Sequence, residues 1–162
     1  MVTMESHASP TIATASRAEL PDVLHVQRAA FSRVARMYDI PPERLSAVSE
    51  TVPDLESLMD GGFVFWLARV DGRSVGTVRA EVRDDGVVEV GRLAVEDGFE
   101  GRGIATALMG AVERFWPRAH RIELFTGAMA TGPLALYGKL GYGVFEKPGE
   151  LREGIVWLAK ER

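Results

Sequence analysis

The sequence predicts an α+β fold: a mixed, mostly antiparallel sheet flanked by helices, with elements in the order βααβββαβαββ. Three observations carry that expectation. Phe63 to Val95 holds three apolar, β-branched runs parted by Asp71-Gly72 and Asp84-Asp85-Gly86, and these short turns make consecutive antiparallel strands. Val87 to Trp116 passes from a strand through a glycine loop into a helical period, and the apolar run RIELFT follows. A strand–helix–strand unit of this kind favours parallel pairing through a right-handed crossover. Two helical segments precede the sheet run and one follows it.

In chain order, 1–10 is polar and rich in small residues, and is expected to be a disordered tail before a single domain over 11–162. Thr11 to Ala15 alternates as a short strand. Ser16 and Glu19 have capping-box spacing. The helix behind them turns Leu20, Val23, Leu24, Ala30 and Phe31 inward, with Pro21 tolerated in the first turn. Pro41-Pro42 breaks the chain, and a second helical region over Ser46 to Met59 is expected to be interrupted near Pro53. Phe63 to Val70 is apolar on both faces at its start and reads as a central strand. Ser74 to Arg83 returns beside it and Val87 to Val95 follows.

Ile104, Ala107, Leu108, Ala111, Val112 and Phe115 then share one helical face, which Pro117 ends. Arg121 to Thr126 is a strand, Leu134 to Leu140 a helix closed by Gly141, and Tyr142 to Lys147 and Ile155 to Lys160 the last two strands.

Composition bounds the chemistry. Cysteine is absent from the 162 residues, so disulfides, thiolate metal sites and a cysteine nucleophile are excluded. His7, His25 and His120 have no metal-ligand spacing, and no metal is expected. A net charge of −4 argues against a nucleic-acid partner. No apolar run reaches membrane-span length and no signal peptide is visible, so no membrane partner and a cytoplasmic location are expected.

The loop from Glu100 to Thr106 is the first candidate site. A helix N-terminus offers unpaired N–H groups and partial positive charge, and Gly101 and Gly103 let backbone approach an anion. Gly101-Arg102-Gly103 starts like a dinucleotide fingerprint, but Thr106 stands where the third glycine belongs. No Gly-Lys-Ser/Thr follows, so this is no nucleotide P-loop. A tight turn feeding a core helix accounts for the glycines equally well. Arg102 is read either as a phosphate contact or as a solvated residue that aids encounter with an anion.

Leu93-Ala94-Val95, Glu100-Gly101-Arg102-Gly103-Ile104-Ala105 and Gly132-Pro-Leu-Ala-Leu-Tyr-Gly-Lys-Leu-Gly-Tyr142 together resemble the GNAT superfamily of N-acetyltransferases. The first two match its acetyl-CoA segment, Gln/Arg-x-x-Gly-x-Gly/Ala after a strand. The third matches its later helix, ending Leu-Tyr-x-x-Leu-Gly-Phe/Tyr. Glu100 departs, because the family has Gln or Arg there, and an Asn often found upstream of the tyrosine is missing. The two motif segments cover about a third of the chain, and the element order extends the likeness over nearly all of it.

The resemblance implies direct transfer of acetyl from acetyl-CoA to a primary amine of a small molecule or protein, in a ternary complex. It implies that backbone of Leu93, Ala94 and Val95 holds the pantetheine arm and serves the oxyanion. Glu100, Gly101, Arg102, Gly103, Ile104, Ala105 and Thr106 would hold the pyrophosphate. Tyr137 becomes the acid for the leaving thiolate, although periodicity alone reads it as a core aromatic beside Leu134 and Leu140. Glu89, four residues before Leu93 and on its face if the strand is regular, becomes the base, directly or through water. Its other reading is a solvated residue or an ion pair with Arg79 or Arg92, and His120 is the weaker candidate base. The acceptor wall is expected from Ala30 to Met59 and Tyr142 to Trp157. A non-catalytic acyl-CoA sensor of the same fold is the alternative function, and a homodimer is left open.

Overall fold

The computed structural model describes residues 8–150 and 152–162; most of the expected tail lies outside them. The strands are β1 (Thr11–Thr14), β2 (Val64–Val70), β3 (Arg73–Val82), β4 (Val87–Val95), β5 (Arg121–Gly127), β6 (Gly143–Phe145) and β7 (Ile155–Glu161). The helices are α1 (Leu20–Met37), α2 (Ser46–Ser49), α3 (Val52–Asp60), α4 (Ile104–Phe115) and α5 (Thr131–Lys139). One seven-stranded sheet runs β1-β2-β3-β4-β5-β7-β6. Among the described residues only β4 and β5 pair in parallel, and every other neighbour is antiparallel. The expected order and strand directions are therefore observed.

Alternation along β2 divides the core. Phe65 and Leu67 pack with Leu20, Val23 and Leu24 of α1 and Leu55 of α3. Trp66 and Ala68 join Val78, Ala80, Val88 and Val90 against Ile104, Leu108, Met109 and Val112 of α4. A Cβ at Gly76 would lie 2.9 Å from Ile104 Cγ2, so glycine there lets the first turn of α4 close onto β3.

Local chemistry explains where the elements depart from expectation. The second helical region is two helices, parted at Glu50-Thr51 rather than near Pro53. Thr51 caps α3: its N–H donates to the Asp54 carboxylate at 2.8 Å, and its hydroxyl accepts the Asp54 N–H at 3.4 Å. Pro53 then falls in the first turn, where its missing N–H costs nothing. Phe31 is only partly buried, and Phe115 is 45% exposed because the chain leaves the helix there. Its ring stacks edge-on with Trp66 and Trp116 instead. β6 is shorter than the expected Tyr142-to-Lys147 strand, since Tyr142 turns inward to 5% exposure.

Candidate active site

The two parallel strands of the sheet part halfway along. β4 and β5 pair only from Val87↔Arg121 to Val90↔Leu124. Beyond that rung β5 follows β7 as far as Gly127↔Ile155, while β4 stays with β3 as far as Val95↔Gly76. Gly91 to Val95 thus run beside a gap, with no β5 ladder to occupy that edge.

The gap begins at a bulge. The β3–β4 register shifts between Thr77 and Arg79, so Arg92 is an extra residue, held at φ +57°. A non-glycine residue there costs roughly 1–2 kcal/mol. Three contacts hold it: Arg92 Nε donates to Glu50 at 2.9 Å, and its terminal nitrogen reaches Glu50 at 2.6 Å and the Ser46 hydroxyl at 2.7 Å. Arg79 grips the same Glu50 carboxylate at 2.7 and 3.3 Å. Burial alone would raise the Glu50 carboxyl, but hydrogen bonds from Arg79 and Arg92 outweigh it and hold the group below its ordinary value. Gln27 to the Ala47 carbonyl and Arg28 to the Glu50 carbonyl tie the α2–α3 segment to α1.

The bulge also reverses the faces of β4. Glu89 pairs with Glu81 and Glu123 and shares the α1 side of the sheet, whereas Leu93 and Val95 pack with the α4 cluster. Glu89 and Leu93 therefore lie on opposite faces, against the expectation for a regular strand.

The loop between β4 and α4 has the form of an anion cradle. Gly98, Gly101 and Gly103 all have positive φ, at 87°, 74° and 78°. Gly103 is the residue before α4, and no side chain caps the helix. The first helical bond runs from the Ala107 N–H to the Gly103 carbonyl at 2.9 Å, so the N–H groups before it lack intrahelical acceptors. A Cβ on Gly101 or Gly103 would meet nothing within 4 Å, which leaves the space before these amides open. Arg102 stacks 4.7 Å over the Phe99 ring, which Arg73 also faces at 5.4 Å. No carboxylate of the described residues pairs with Arg102. Glu100 does have a partner. Arg33 of α1 binds Glu100 and, at 2.7 Å, Asp97. The Glu100 hydrogen bond leads the interactions that raise the Arg33 guanidinium above its ordinary value.

Tyr137 is 7% exposed and belongs to the apolar cluster that includes Leu93 and Val95 of β4 and Leu124 of β5. Among the described residues its hydroxyl has no hydrogen-bond partner. Burial pushes it up to about 12, so it stays protonated at neutral pH. The Tyr142 ring meets it edge-on at 5.9 Å, and the Tyr142 hydroxyl donates to Glu113 at 3.0 Å, with Lys160 3.1 Å from the same carboxylate. Leu140 and Gly141 end α5 as expected, with Gly141 at φ +95°.

Glu89 sits one residue before the last paired rung. Its partners are Lys147 at 2.7 Å and Arg83 at 3.6 Å, not Arg79 or Arg92. Lys147 and Arg83 also reach the buried Glu123, each at 3.4 Å. His120 is exposed, with Nε2 2.9 Å from the Asp85 carbonyl, beside the start of β4 and away from the gap. Arg33 and Glu50 fall in the Ala30-to-Met59 stretch expected to wall the acceptor, and Arg79 and Arg92 were expected only as ion-pair partners of Glu89. Only folding brings Arg92 to Glu50, 42 positions away, and Arg33 to Glu100, 67 positions away.

Comparison with known proteins identifies the family and the fold. The model of the acetyltransferase (GNAT) family matches residues 27–142. N-acetylaspartate synthetase of Xenopus tropicalis is 34% identical over 101 residues, 59% of this chain and 37% of that protein. N-acetyltransferase 8 of Rattus norvegicus is 35% identical over 109 residues, 62% of this chain and 48% of that protein. The chain thus spans less than half the length of these relatives. The PaiA N-acetyltransferase of Thermoplasma acidophilum, solved with coenzyme A, superposes with a TM-score of 0.81 at 16% identity. The superposition covers 95% of this chain and 99% of that one, and it shows a shared fold. With its split β4–β5 edge, its glycine cradle and a family match over most of its length, the chain belongs to the GNAT acetyltransferase family.

Proposed function

We propose that the chain transfers acetyl from acetyl-CoA to a primary amine, of a small molecule or a protein, by direct attack in a ternary complex. The observation that carries this reading is the gap between Gly91–Val95 and β5, continuous in sequence with the cradle that leads into α4. A pantetheine arm in that gap would complete the sheet edge as another strand would, with its pyrophosphate at the Gly101–Thr106 amides.

The amine nitrogen attacks the thioester carbonyl carbon, and free backbone N–H groups of β4 stabilise the oxyanion. The nitrogen loses a proton, the C–S bond breaks as the carbonyl re-forms, and Tyr137 gives its proton to the departing sulfur. Solvent then reprotonates the phenolate. Glu89 serves as base once the Lys147 ammonium moves aside, because that ammonium occupies its carboxylate. Tyr137 favours catalysis over a non-catalytic acyl-CoA sensor: a buried, protonated phenol with no partner among the described residues has a donor to spare.

Gly103→Val tests the cofactor assignment. The new side chain projects into open space at φ +78°, so it meets an approaching phosphate, while the strain costs roughly 1–2 kcal/mol of stability. Acetyl-CoA should raise the melting temperature of wild type and not of this variant. Equal stabilisation of both would place the cofactor elsewhere.

A further inference from the structure

We infer that Arg33 is a positioning residue of the cofactor site, which neutralises Glu100 and Asp97 so that an acidic loop can receive a pyrophosphate. The inference rests on the proposal that the Glu100–Thr106 loop holds the acetyl-CoA phosphates. The loop poses a charge problem. Glu96, Asp97 and Glu100 lie within five residues, and a pyrophosphate brought to the Gly101–Thr106 amides would meet their repulsion. Two arginines from outside the loop pair with all three acids. Arg73 binds Glu96, and Arg33 bridges Asp97 and Glu100 with its two terminal nitrogens. Arg102 rests on Phe99 without an acidic partner among the described residues and adds one positive charge. The loop then carries three acids and three cations, with the amides and the positive end of α4 facing the ligand.

Arg33 is the member supplied from farthest along the chain. It comes from α1, 67 residues before Glu100, and its side chain is 27% exposed against 54% for Glu100. A fork-shaped guanidinium suits this task, since it holds two carboxylates at once where an ammonium would hold one well. The glutamate at this position is thereby tolerated: its carboxylate is spent on Arg33 and its backbone stays free for phosphate.

Titration of acetyl-CoA and of S-acetylpantetheine, which lacks the pyrophosphate, tests this. Arg33→Ala should weaken acetyl-CoA about tenfold, equivalent to about 1.4 kcal/mol, and leave S-acetylpantetheine unchanged. Adding Asp97→Asn and Glu100→Gln to Arg33→Ala should restore most of the loss. The same two amide substitutions in wild type should tighten acetyl-CoA binding a few-fold, because they free Arg33. That arm does not depend on how the alanine variant folds. Three results would overturn the inference: acetyl-CoA affinity within twofold of wild type in Arg33→Ala, an equal loss for both ligands, or no recovery in the triple variant. Failure of wild type itself to bind acetyl-CoA would instead remove the cofactor reading beneath it.

Discussion

Replacing Tyr137 with Phe separates chemistry from packing. The substitution removes one oxygen and keeps a ring that is 7% exposed and wedged in the α4-side cluster. Among the described residues no group bonds that hydroxyl, so no donor or acceptor is orphaned. The usual cost of about 1–3 kcal/mol for an unsatisfied partner does not arise. A 162-residue domain shifts about 2–4 °C per kcal/mol, so the melting temperature should move by no more than a few degrees. Turnover should behave differently. The hydroxyl is held at about 12 by burial, which makes it a weaker acid than a free phenol. A thiolate leaving beside the same apolar cluster would be destabilised by the same desolvation, so the proton still has reason to move. Loss of a positioned acid typically costs 10²–10⁴ in rate, and roughly a hundredfold is expected here because water can partly replace a phenol. Single-turnover acetyl transfer, started from saturating acetyl-CoA, reads that step without interference from product release. In wild type, Tyr137 should cause no alkaline loss of rate until pH approaches about 12. A Tyr137→Phe rate equal to wild type would leave Tyr137 as a packing residue, and a large drop in stability would show a hydroxyl partner.

Glu50→Gln should cost about 3 kcal/mol, since two half-buried guanidinium groups lose their shared charge. The folded Glu50 carboxyl lies below its ordinary value. Its contribution is therefore present above the unfolded value of about 4.3 and fades as pH falls through the folded one. Melting curves of wild type and variant should converge as pH falls through that folded value, and a gap that stays constant down the acid range would contradict the linkage. Lys147→Met should leave the Glu89 carboxylate freer to accept a proton and raise kcat/KM at neutral pH, whereas Glu89→Gln should lower it. A kcat/KM equal to wild type in Glu89→Gln would exclude Glu89 as base.

The sheet was legible because its signals are local. Asp71-Gly72 and Asp84-Asp85-Gly86 fix two hairpins, and the alternation of Phe65, Trp66, Leu67 and Ala68 assigns both layers of the core. The cradle was legible because glycines at positive φ leave a mark on the sequence itself. The bulge at Arg92 left none. An arginine there looks like any strand residue, and it is Glu50, 42 residues earlier, that makes the left-handed conformation tolerable. That one hidden contact reverses the face of Leu93 relative to Glu89. The same limit hid the Arg33–Glu100 pair, so the loop looked more acidic in sequence than it is in the fold. The Lys147–Glu89 pair left no local signal either, since its partners lie 58 positions apart in sequence.

The proposed reaction passes acetyl from acetyl-CoA to an amine. Its most direct test incubates the purified protein with acetyl-CoA and a panel of primary amines and protein N-termini. Mass spectrometry then follows the amines while a thiol reagent follows free CoA. At least one amine should gain a single acetyl group, with one thiol released per amine modified and both signals abolished in Gly103→Val. Tight binding of acetyl-CoA with no acetylated amine and no thiol released would contradict it, and would mark the chain as an acyl-CoA sensor.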